Sequence, residues 1–324
     1  MNPLEADDWR SWWRTFRSAF HTTDAGQGHM RCFATGELIE PVATHPKIKG
    51  LAGVGGLGTG DVLIGFDKQA FQSYGLVQSA NAAVSEQAAT AYVETLNRLI
   101  SEKSIRLGNV IAVYWFTEAI PEVDDPLSWL KEPPEQAEAS AELKARQLLR
   151  AIHSGERPDL ANNRYLALAL SGAAGRVMVR EVMEGSFEAL VTNIERWFAD
   201  LSIVAQDGKG LCPSQKFLAV ASALVRELDD LVSPWIQQLW HAAMTGSAIP
   251  SFAAARTALR VRVDVINDQV ASHARMGLLK AFHIRQGDQN MYPYLNPDHP
   301  HPAYHCGRLL AVLARLQRAA LGDV

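Results

Sequence analysis

The sequence predicts an α+β protein in which strands come first and helices follow. Alternating apolar and polar residues, the pattern of half-buried strands, occur only in the first part of the chain. Beyond Pro213 every apolar pattern has helical spacing. We therefore predict an α+β domain over residues 1–205, with a glycine-rich loop and a β-hairpin, and a helical domain over residues 206–324. The 324 residues, 48% of them hydrophobic, suffice for one large core or two modest ones.

The spacing of aromatic and apolar residues predicts the first elements. An amphipathic helix is expected near the N-terminus, where four aromatic residues recur at helical spacing: Trp9, Trp12, Trp13 and Phe16. Residues 31–66 are glycine-rich and β-like. A second helix begins after Ser85, its expected N-cap, and residues 110–116 read as a buried strand because they are rich in β-branched and aromatic side chains.

A β-hairpin is the clearest element of the sequence. Residues 165–170 and 176–182 alternate on either side of a glycine-bearing turn, which is typical of a hairpin. A helix over about 134–153 precedes it, and a helix with Ser186 as N-cap follows it. Strand, helix, hairpin and helix in this order match part of a ferredoxin-like βαββα unit. Four further helices are predicted, over residues 216–231, 234–244, 252–280 and 304–321.

Charge is distributed unevenly along the chain. The formal net charge is -4, but residues 117–142 hold eight acidic residues and one lysine, whereas residues 256–285 hold six basic and two acidic residues. Because the local field decides where a phosphate backbone settles, this pattern allows DNA binding without requiring it. No long apolar stretch predicts a membrane span, and three scattered cysteines with no secretory signal predict a reducing cytoplasm.

The run from Gly53 to Gly58 matches the dinucleotide motif G-x-G-x-x-G. Its surroundings argue against that function, since the residues that follow look like a strand and Gln78 stands where a carboxylate is expected. A nucleotide-binding enzyme that uses this loop is a remote hypothesis. The glycines can still bring backbone amides close to a phosphate or base edge, with Lys47 and Lys49 just before them. A flexible hairpin connection explains the spacing equally well.

The histidine-rich segment near the C-terminus does not match a zinc site. Its candidate ligands are His299, His301, His305 and Cys306. Pro302 interrupts them and no second cysteine or carboxylate completes a ligand set, so we predict a turn with solvent-exposed histidines, without metal or other cofactor. The sequence also lacks nucleophile-elbow, H-E-x-x-H and Walker motifs, so we predict no enzymatic activity.

Two pairs of arginines have spacings that place each pair on one face. Arg176 and Arg180 project from one side of the predicted hairpin, opposite Val177 and Val179. Arg256 and Arg260 share a helix face by their i, i+4 spacing. Either pair suits phosphate contacts, and either pair also suits an ordinary solvated surface.

Several segments taken together resemble the Csd-type large subunit of the type I-C CRISPR Cascade complex. They are RCFATGE (31–37), HPKIKG (45–50), AFQSYG (70–75), NA (81–82) with Ser85, AY (91–92), LN (96–97), LSGAAGRVMVR (170–180) and AYHCGRLLAVL (303–313). The resemblance runs from about Arg31 to the end of the chain. Because family members are longer on both sides of this pattern, we expect a fragment or a shortened variant.

The resemblance implies a non-catalytic subunit in antiviral defence. Guide RNA pairing reads the target sequence, and protein side chains check a short adjacent motif in the duplex. The implied partners are the other Cascade subunits (backbone, crRNA-end and small subunits), the crRNA, double-stranded target DNA with its displaced strand, and a recruited helicase–nuclease. No membrane partner is implied.

Thirteen residues are predicted to contact DNA. Glycines would allow close backbone approach, amides and hydroxyls would read base edges, and cations would hold phosphates. The residues are Lys47, Lys49, Gly55, Gly56, Thr59, Gln72, Ser73, Tyr74, Asn81, Arg176, Arg180, Arg256 and Arg260. The alternative hypothesis is an architectural subunit that contacts crRNA and protein neighbours without reading DNA.

Overall fold

The structure is a computed structural model that describes residues 11, 12, 15, 29–132, 141–266 and 272–321. Ser11, Trp12 and Thr15 are helical, as the N-terminal pattern predicts. The other aromatic residues of that predicted helix lie outside the described residues: Trp9, Trp13 and Phe16.

The chain forms two compact units. The first unit comprises residues 1–104 and 169–180, and the second comprises residues 105–168 and 181–324. These units do not coincide with the predicted division at residue 205. The reason is that the helix before residue 205 packs against helices that follow it, so it shares their core.

In the first unit, short strands precede one long helix. Strands β1 (Met30–Arg31) and β2 (Leu38–Ile39) pair antiparallel, with Met30 opposite Ile39. Helix α1 (Glu86–Glu102) begins at Ser85, whose hydroxyl accepts the Ala88 amide at 3.2 Å, so the predicted N-cap is confirmed. The β character predicted for residues 31–66 is limited to these strands and isolated bridges, because glycines interrupt the pairing.

A four-stranded sheet contains the predicted strand and hairpin. Its strands are β3 (Ser104–Leu107), β4 (Val110–Phe116), β5 (Arg164–Ala173) and β6 (Arg176–Ser186), in the order β3-β4-β5-β6. The strand at 110–116 and the hairpin are both confirmed. Ala174 and Gly175 have φ values of 49° and 90°, so the hairpin turns through two left-handed residues, as a type I′ turn does.

The ferredoxin-like order is wrong, although the α+β class is confirmed. A ferredoxin-like sheet splits its βαβ units, so that β4 would lie beside β6 rather than β5. Here the Thr117 amide, after the end of β4, donates to the Arg164 carbonyl at the start of β5 (2.9 Å), which makes these strands antiparallel neighbours. The described residues between them form α2 (Pro126–Lys131), α3 (Ala141–His153) and α4 (Pro158–Ala161).

Helix α5 (Phe187–Leu201) packs against α3, α7 (Ser233–Thr245) and α9 (His273–Arg285) in the second unit. Ser186 caps α5 by accepting the Ala189 amide at 3.1 Å, as predicted. Beyond α5, the described residues also form α6 (Phe217–Ser222), α8 (Ser251–Ile266) and α10 (Pro302–Leu321). The helices predicted over 234–244 and 304–321 are confirmed, and that over 134–153 is confirmed from Ala141 onwards.

Two helix predictions are wrong in extent. The helix predicted over 216–231 ends at Ser222, because the acidic residues from Glu227 to Asp230 would lie at its C-terminal end, where the helix dipole disfavours them. The helix predicted over 252–280 is two helices, α8 and α9. Ser272 is extended (ψ 150°) and accepts the Arg275 amide at 3.3 Å, which begins a new helix.

Candidate nucleic-acid interface

The glycine-rich loop is closed by a pair of backbone hydrogen bonds. Ile48 and Asp61 each donate an amide to the other's carbonyl at 2.8 Å. Lys47 and Lys49 flank the buried Ile48 and are both exposed, so their ammonium groups border the loop. The Lys49 amide also donates to the Asn97 side chain on α1 at 2.7 Å, which fixes this border to the helix.

Inside the loop, a buried carboxylate holds the backbone. Both oxygens of Asp61, which is fully buried, accept the Leu57 amide at 3.1 Å. The Gly56 amide donates to Leu51, and a Cβ at Gly56 would lie 2.3 Å from Asp61 Oδ2. No α-helix begins directly at the glycines, since the next one is α1 at Glu86, which excludes the dinucleotide fold at this position. The loop is therefore a fixed structure rather than an open phosphate cradle.

Two backbone amides at the turn of this loop remain available. The Gly60 amide donates to the Leu57 carbonyl at 3.0 Å and closes a turn. Gly58 and Thr59 are at its centre, and their amides have no partner among the described residues. Of the predicted loop contacts, Thr59 thus presents a free amide and hydroxyl. Gly55 and Gly56 are needed for the shape of the loop, since Gly55 has a left-handed φ of 90°.

The loop is joined to the tip of the hairpin. A Cβ at Gly172 would lie 2.1 Å from the Gly56 Cα, so the two backbones touch at a glycine-only contact. The Val62 amide donates to Gly175 at 2.9 Å, and the Val177 amide donates to Val62 at 3.0 Å. Residues 47–62 and 169–180 therefore form one backbone-linked surface, which we call the loop–hairpin surface.

The two arginines of the hairpin have different partners. The Arg176 guanidinium lies 4.2 Å from the centre of the Phe71 ring and forms an ion pair with Asp67 at 2.5 Å. Arg180 is exposed and donates to the Ser171 hydroxyl at 2.8 Å. No carboxylate of the described residues pairs with Arg180, so its charge is available to an external anion, whereas Asp67 neutralises Arg176. Sequence spacing missed Asp67, because it is 109 residues away from Arg176.

Residues 72–81 form a loop that Asn81 organises from within. The Asn81 carboxamide accepts the Ser73 amide at 2.8 Å and donates to the carbonyls of Leu76 and Gln78 at 3.0 and 2.9 Å. Tyr74 is fully exposed in this loop, with a left-handed φ of 54°. Asn81 therefore positions the loop, and Tyr74 is the side chain that the loop presents.

Gln72 is also directed inward, since its side-chain amide donates to the Phe66 carbonyl at 3.3 Å. This leaves Gln72 and Asn81 in supporting positions, although sequence alone predicted both as readers of base edges. An amide side chain satisfies nearby backbone groups as readily as a base edge, so only the surrounding contacts distinguish the two roles.

In the second unit, Arg256 and Arg260 have different surroundings. Arg256 is exposed and lies 4.4 Å from the centre of the Trp235 ring, with no carboxylate partner among the described residues. The side chain of Arg260 is only 20% exposed and lies 3.8 Å from the buried Asp264. Both arginines lie on α8, but of the two only Arg256 is exposed without a carboxylate partner among the described residues.

The family comparison identifies the chain. The family model described as CRISPR-associated protein (Cas_Csd1) matches residues 2–324. The chain belongs to the Cas_Csd1 family of CRISPR-associated proteins. The match also includes residues before Arg31, where the sequence resemblance started. A comparison with curated proteins found no match.

Several residues of the family-like segments contact one another in the first unit. His45 Nδ1 lies 2.9 Å from the Tyr92 hydroxyl, and Lys49 and Asn97 are joined as described above. Residues of these segments therefore make contacts that hold the start of the glycine-rich loop against α1. Membership of the Cas_Csd1 family makes the chain a Cascade-type CRISPR subunit.

The histidine-rich segment of this family member has a structural role. His299 is 4% exposed, and its ring stacks on the Tyr304 ring with 4.2 Å between the ring centres. Its Nε2 lies 3.3 Å from Asp288 Oδ2. The prediction of solvent-exposed histidines is therefore wrong for His299, because its ring packs into the loop before α10. Among the described residues, no three His, Cys, Asp or Glu side chains are arranged to hold a metal ion. No helix within the described ranges is long and apolar enough to cross a membrane.

Proposed function

We propose that the chain is the large subunit of a type I-C Cascade complex and that it binds target DNA without catalysing a reaction. The observation that supports this function is the loop–hairpin surface. Exposed cations at Lys47, Lys49 and Arg180 lie on the same backbone-linked surface as the free amides of Gly58 and Thr59. Cations hold phosphates, and amides donate to phosphates or base edges, so this surface suits the adjacent-motif duplex.

The predicted contacts then divide into two groups. Lys47, Lys49, Thr59, Tyr74 and Arg180 contact the duplex directly, since each is exposed in the first unit. Arg176, which lies over the Phe71 ring, contacts a phosphate as well. The remaining first-unit residues shape the surface or hold a contact in place: Gly55, Gly56, Gln72, Ser73 and Asn81. Arg256 in the second unit contacts the displaced strand, and Arg260 supports the helix that carries it.

Other macromolecules complete the proposed function. The guide RNA reads the target sequence by base pairing, and the backbone, crRNA-end and small subunits hold the guide. Bond cleavage belongs to a helicase–nuclease that the complex recruits, so this subunit needs no cofactor. The complex works in the cytoplasm, where the guide and the invading DNA meet.

A salt titration of the assembled complex tests the DNA contacts. Lys47→Ala and Lys49→Ala should each lower the slope of log affinity against log salt by about one, because each removes one phosphate contact. Lys103→Ala is the matched control, since Lys103 is an exposed lysine of the same unit that follows α1. Equal slopes for all three variants and the wild-type complex would exclude the loop lysines. A wild-type complex that does not bind a matched duplex would exclude the proposed function.

An architectural role is the second candidate, and the β1–β2 hairpin favours it. Phe33 and Leu38 are 76% and 65% exposed, which suits burial against a neighbouring protein. In that case Phe33→Ser should reduce assembly of the complex, while Thr59→Ala leaves discrimination between adjacent motifs unchanged. Co-purification of the subunits and duplex binding by the assembled complex separate the two functions.

A further inference from the structure

The position of Arg176 is fixed from three sides. Its backbone pairs with Val62, its guanidinium lies over the exposed Phe71 ring, and Asp67 accepts a hydrogen bond from Nη2 at 2.5 Å. The side chains of Arg176 and Asp67 are 38% and 69% exposed. The guanidinium is thus held in a set direction at the loop–hairpin surface, while a carboxylate occupies its anion-binding edge.

This carboxylate can be replaced by another anion. An ion pair that solvent reaches on both sides is weak, and salt screens it further. Two oxygens of a phosphate group offer the same two-point match to a guanidinium that the two oxygens of a carboxylate offer. The stacking on Phe71 does not depend on Asp67, so it keeps Arg176 oriented while one anion exchanges for the other.

We propose that Asp67 is an internal competitor for the phosphate that Arg176 binds, an inference that rests on the proposed function. A DNA phosphate must displace the Asp67 carboxylate and then tolerate a second negative charge beside it. Asp67 therefore weakens backbone binding to matched and unmatched duplexes alike. Unmatched DNA, which makes few other contacts, is released quickly, whereas the contacts of a matched duplex offset the loss.

Asp67→Asn tests the competitor in the assembled complex. Asparagine keeps the size of the side chain but removes its charge, so affinity for both duplexes should rise about two- to fivefold at low salt. The gain should disappear at about 1 M salt, where screening is strong over the distance of the pair. Fluorescence anisotropy with labelled matched and unmatched duplexes measures both effects.

A double-mutant cycle shows whether the gain acts through Arg176. In the Arg176→Ala background, Asp67→Asn should no longer change the affinity. Glu94→Gln is the matched control, because Glu94 is an exposed acid on α1 with no basic partner among the described residues. It removes the same charge from the same unit and should leave affinity unchanged.

The outcomes separate this inference from the proposed function. If Asp67→Asn leaves the affinity of a binding-competent complex unchanged or lowers it, Asp67 is not a competitor and the DNA-binding function stands. The same conclusion follows if Glu94→Gln gives an equal gain, or if the gain survives Arg176→Ala. A wild-type complex that binds neither duplex removes both proposals. Unchanged melting temperatures of the single variants show that folding is not the cause.

Discussion

Single residues in the first unit have roles that their chemistry permits but does not dictate. His45 is 5% exposed, with Nδ1 near the Tyr92 hydroxyl and Nε2 buried without a partner among the described residues. Burial lowers the pKa of His45 and raises the pKa of Tyr92 to about 12, because each charged form would be poorly solvated. Both side chains are therefore held neutral at the base of the glycine-rich loop.

His45 makes stability depend on pH. The unfolded chain takes up a proton near the ordinary histidine pKa of about 6.5, whereas folded His45 takes it up only at lower pH. The stability that comes from neutral, buried His45 is fully present above pH 6.5. It is lost as the pH falls through the lowered pKa of folded His45. His45→Gln should flatten the fall in unfolding free energy between pH 7 and 5, as measured by urea denaturation. An equally steep fall in the variant would contradict the prediction.

At the scale of elements, the join between glycine-rich loop and hairpin decides the candidate site. The loop alone carries Lys47, Lys49 and the free amides of Gly58 and Thr59, and the hairpin adds Arg180. The backbone contact of Gly172 with Gly55 and Gly56, and the pairing of Val62 with the hairpin tip, bring them together. A hairpin pattern is local and can be read from sequence, but its pairing with a loop over 100 residues earlier is not local.

Gly172→Ala should break this join. The added methyl group would lie 2.1 Å from the Gly56 Cα, so loop or hairpin must move. We expect a loss of about 1–3 kcal/mol in unfolding free energy, which is typical of overpacking. DNA affinity of the assembled complex should fall with it. Denaturant unfolding and duplex binding check the two effects.

Gly58→Ala is the control for this substitution. Gly58 is in the same loop, has no positive φ, and a Cβ there would meet nothing within 4 Å. It should therefore change stability by less than about 0.5 kcal/mol. Equal losses for the two variants would mean that the glycine-only contact is unimportant.

At the scale of the whole molecule, buried ion pairs connect parts of the second unit that are distant in sequence. Asp264 on α8 is 2% exposed and pairs with Arg275 on α9, whose guanidinium also donates to the carbonyls of Ala223 and Val225. Arg285 is nearly buried and bonds to Asp200 of α5 at 2.7 Å. These contacts explain why α5, α8 and α9 share one unit.

Asp264→Ala should destabilise the second unit strongly. The substitution leaves Arg275, and in part Arg260, buried without a carboxylate. We expect it to lower the free energy of unfolding by about 3–5 kcal/mol. Glu188→Ala removes one partner of an exposed pair with His153 and should cost less than about 1 kcal/mol. Thermal and denaturant unfolding compare the two variants. Similar losses would show that the buried network contributes no more than a surface pair.

Local patterns in the sequence were sufficient for the fold class and for many elements. The caps at Ser85 and Ser186, the strand at 110–116 and the hairpin depend on residues close in sequence, and all are confirmed. The family resemblance is confirmed as well. The strand order was missed because it depends on tertiary contacts. The break at Ser272 and the early end of α6 were missed because apolar spacing does not register a cap or acidic residues near a helix C-terminus.

The sequence by itself determined which residue types are available for DNA binding, and the tertiary structure decided which of them face solvent unpaired. Arg176 and Arg180 look alike in sequence, yet among the residues that the structure describes only Arg176 has a carboxylate partner, Asp67. Arg256 and Arg260 share a spacing, yet only Arg260 lies beside the buried Asp264. The physical reason is that charge pairing acts through space over a few ångströms, and distance along the chain does not specify it.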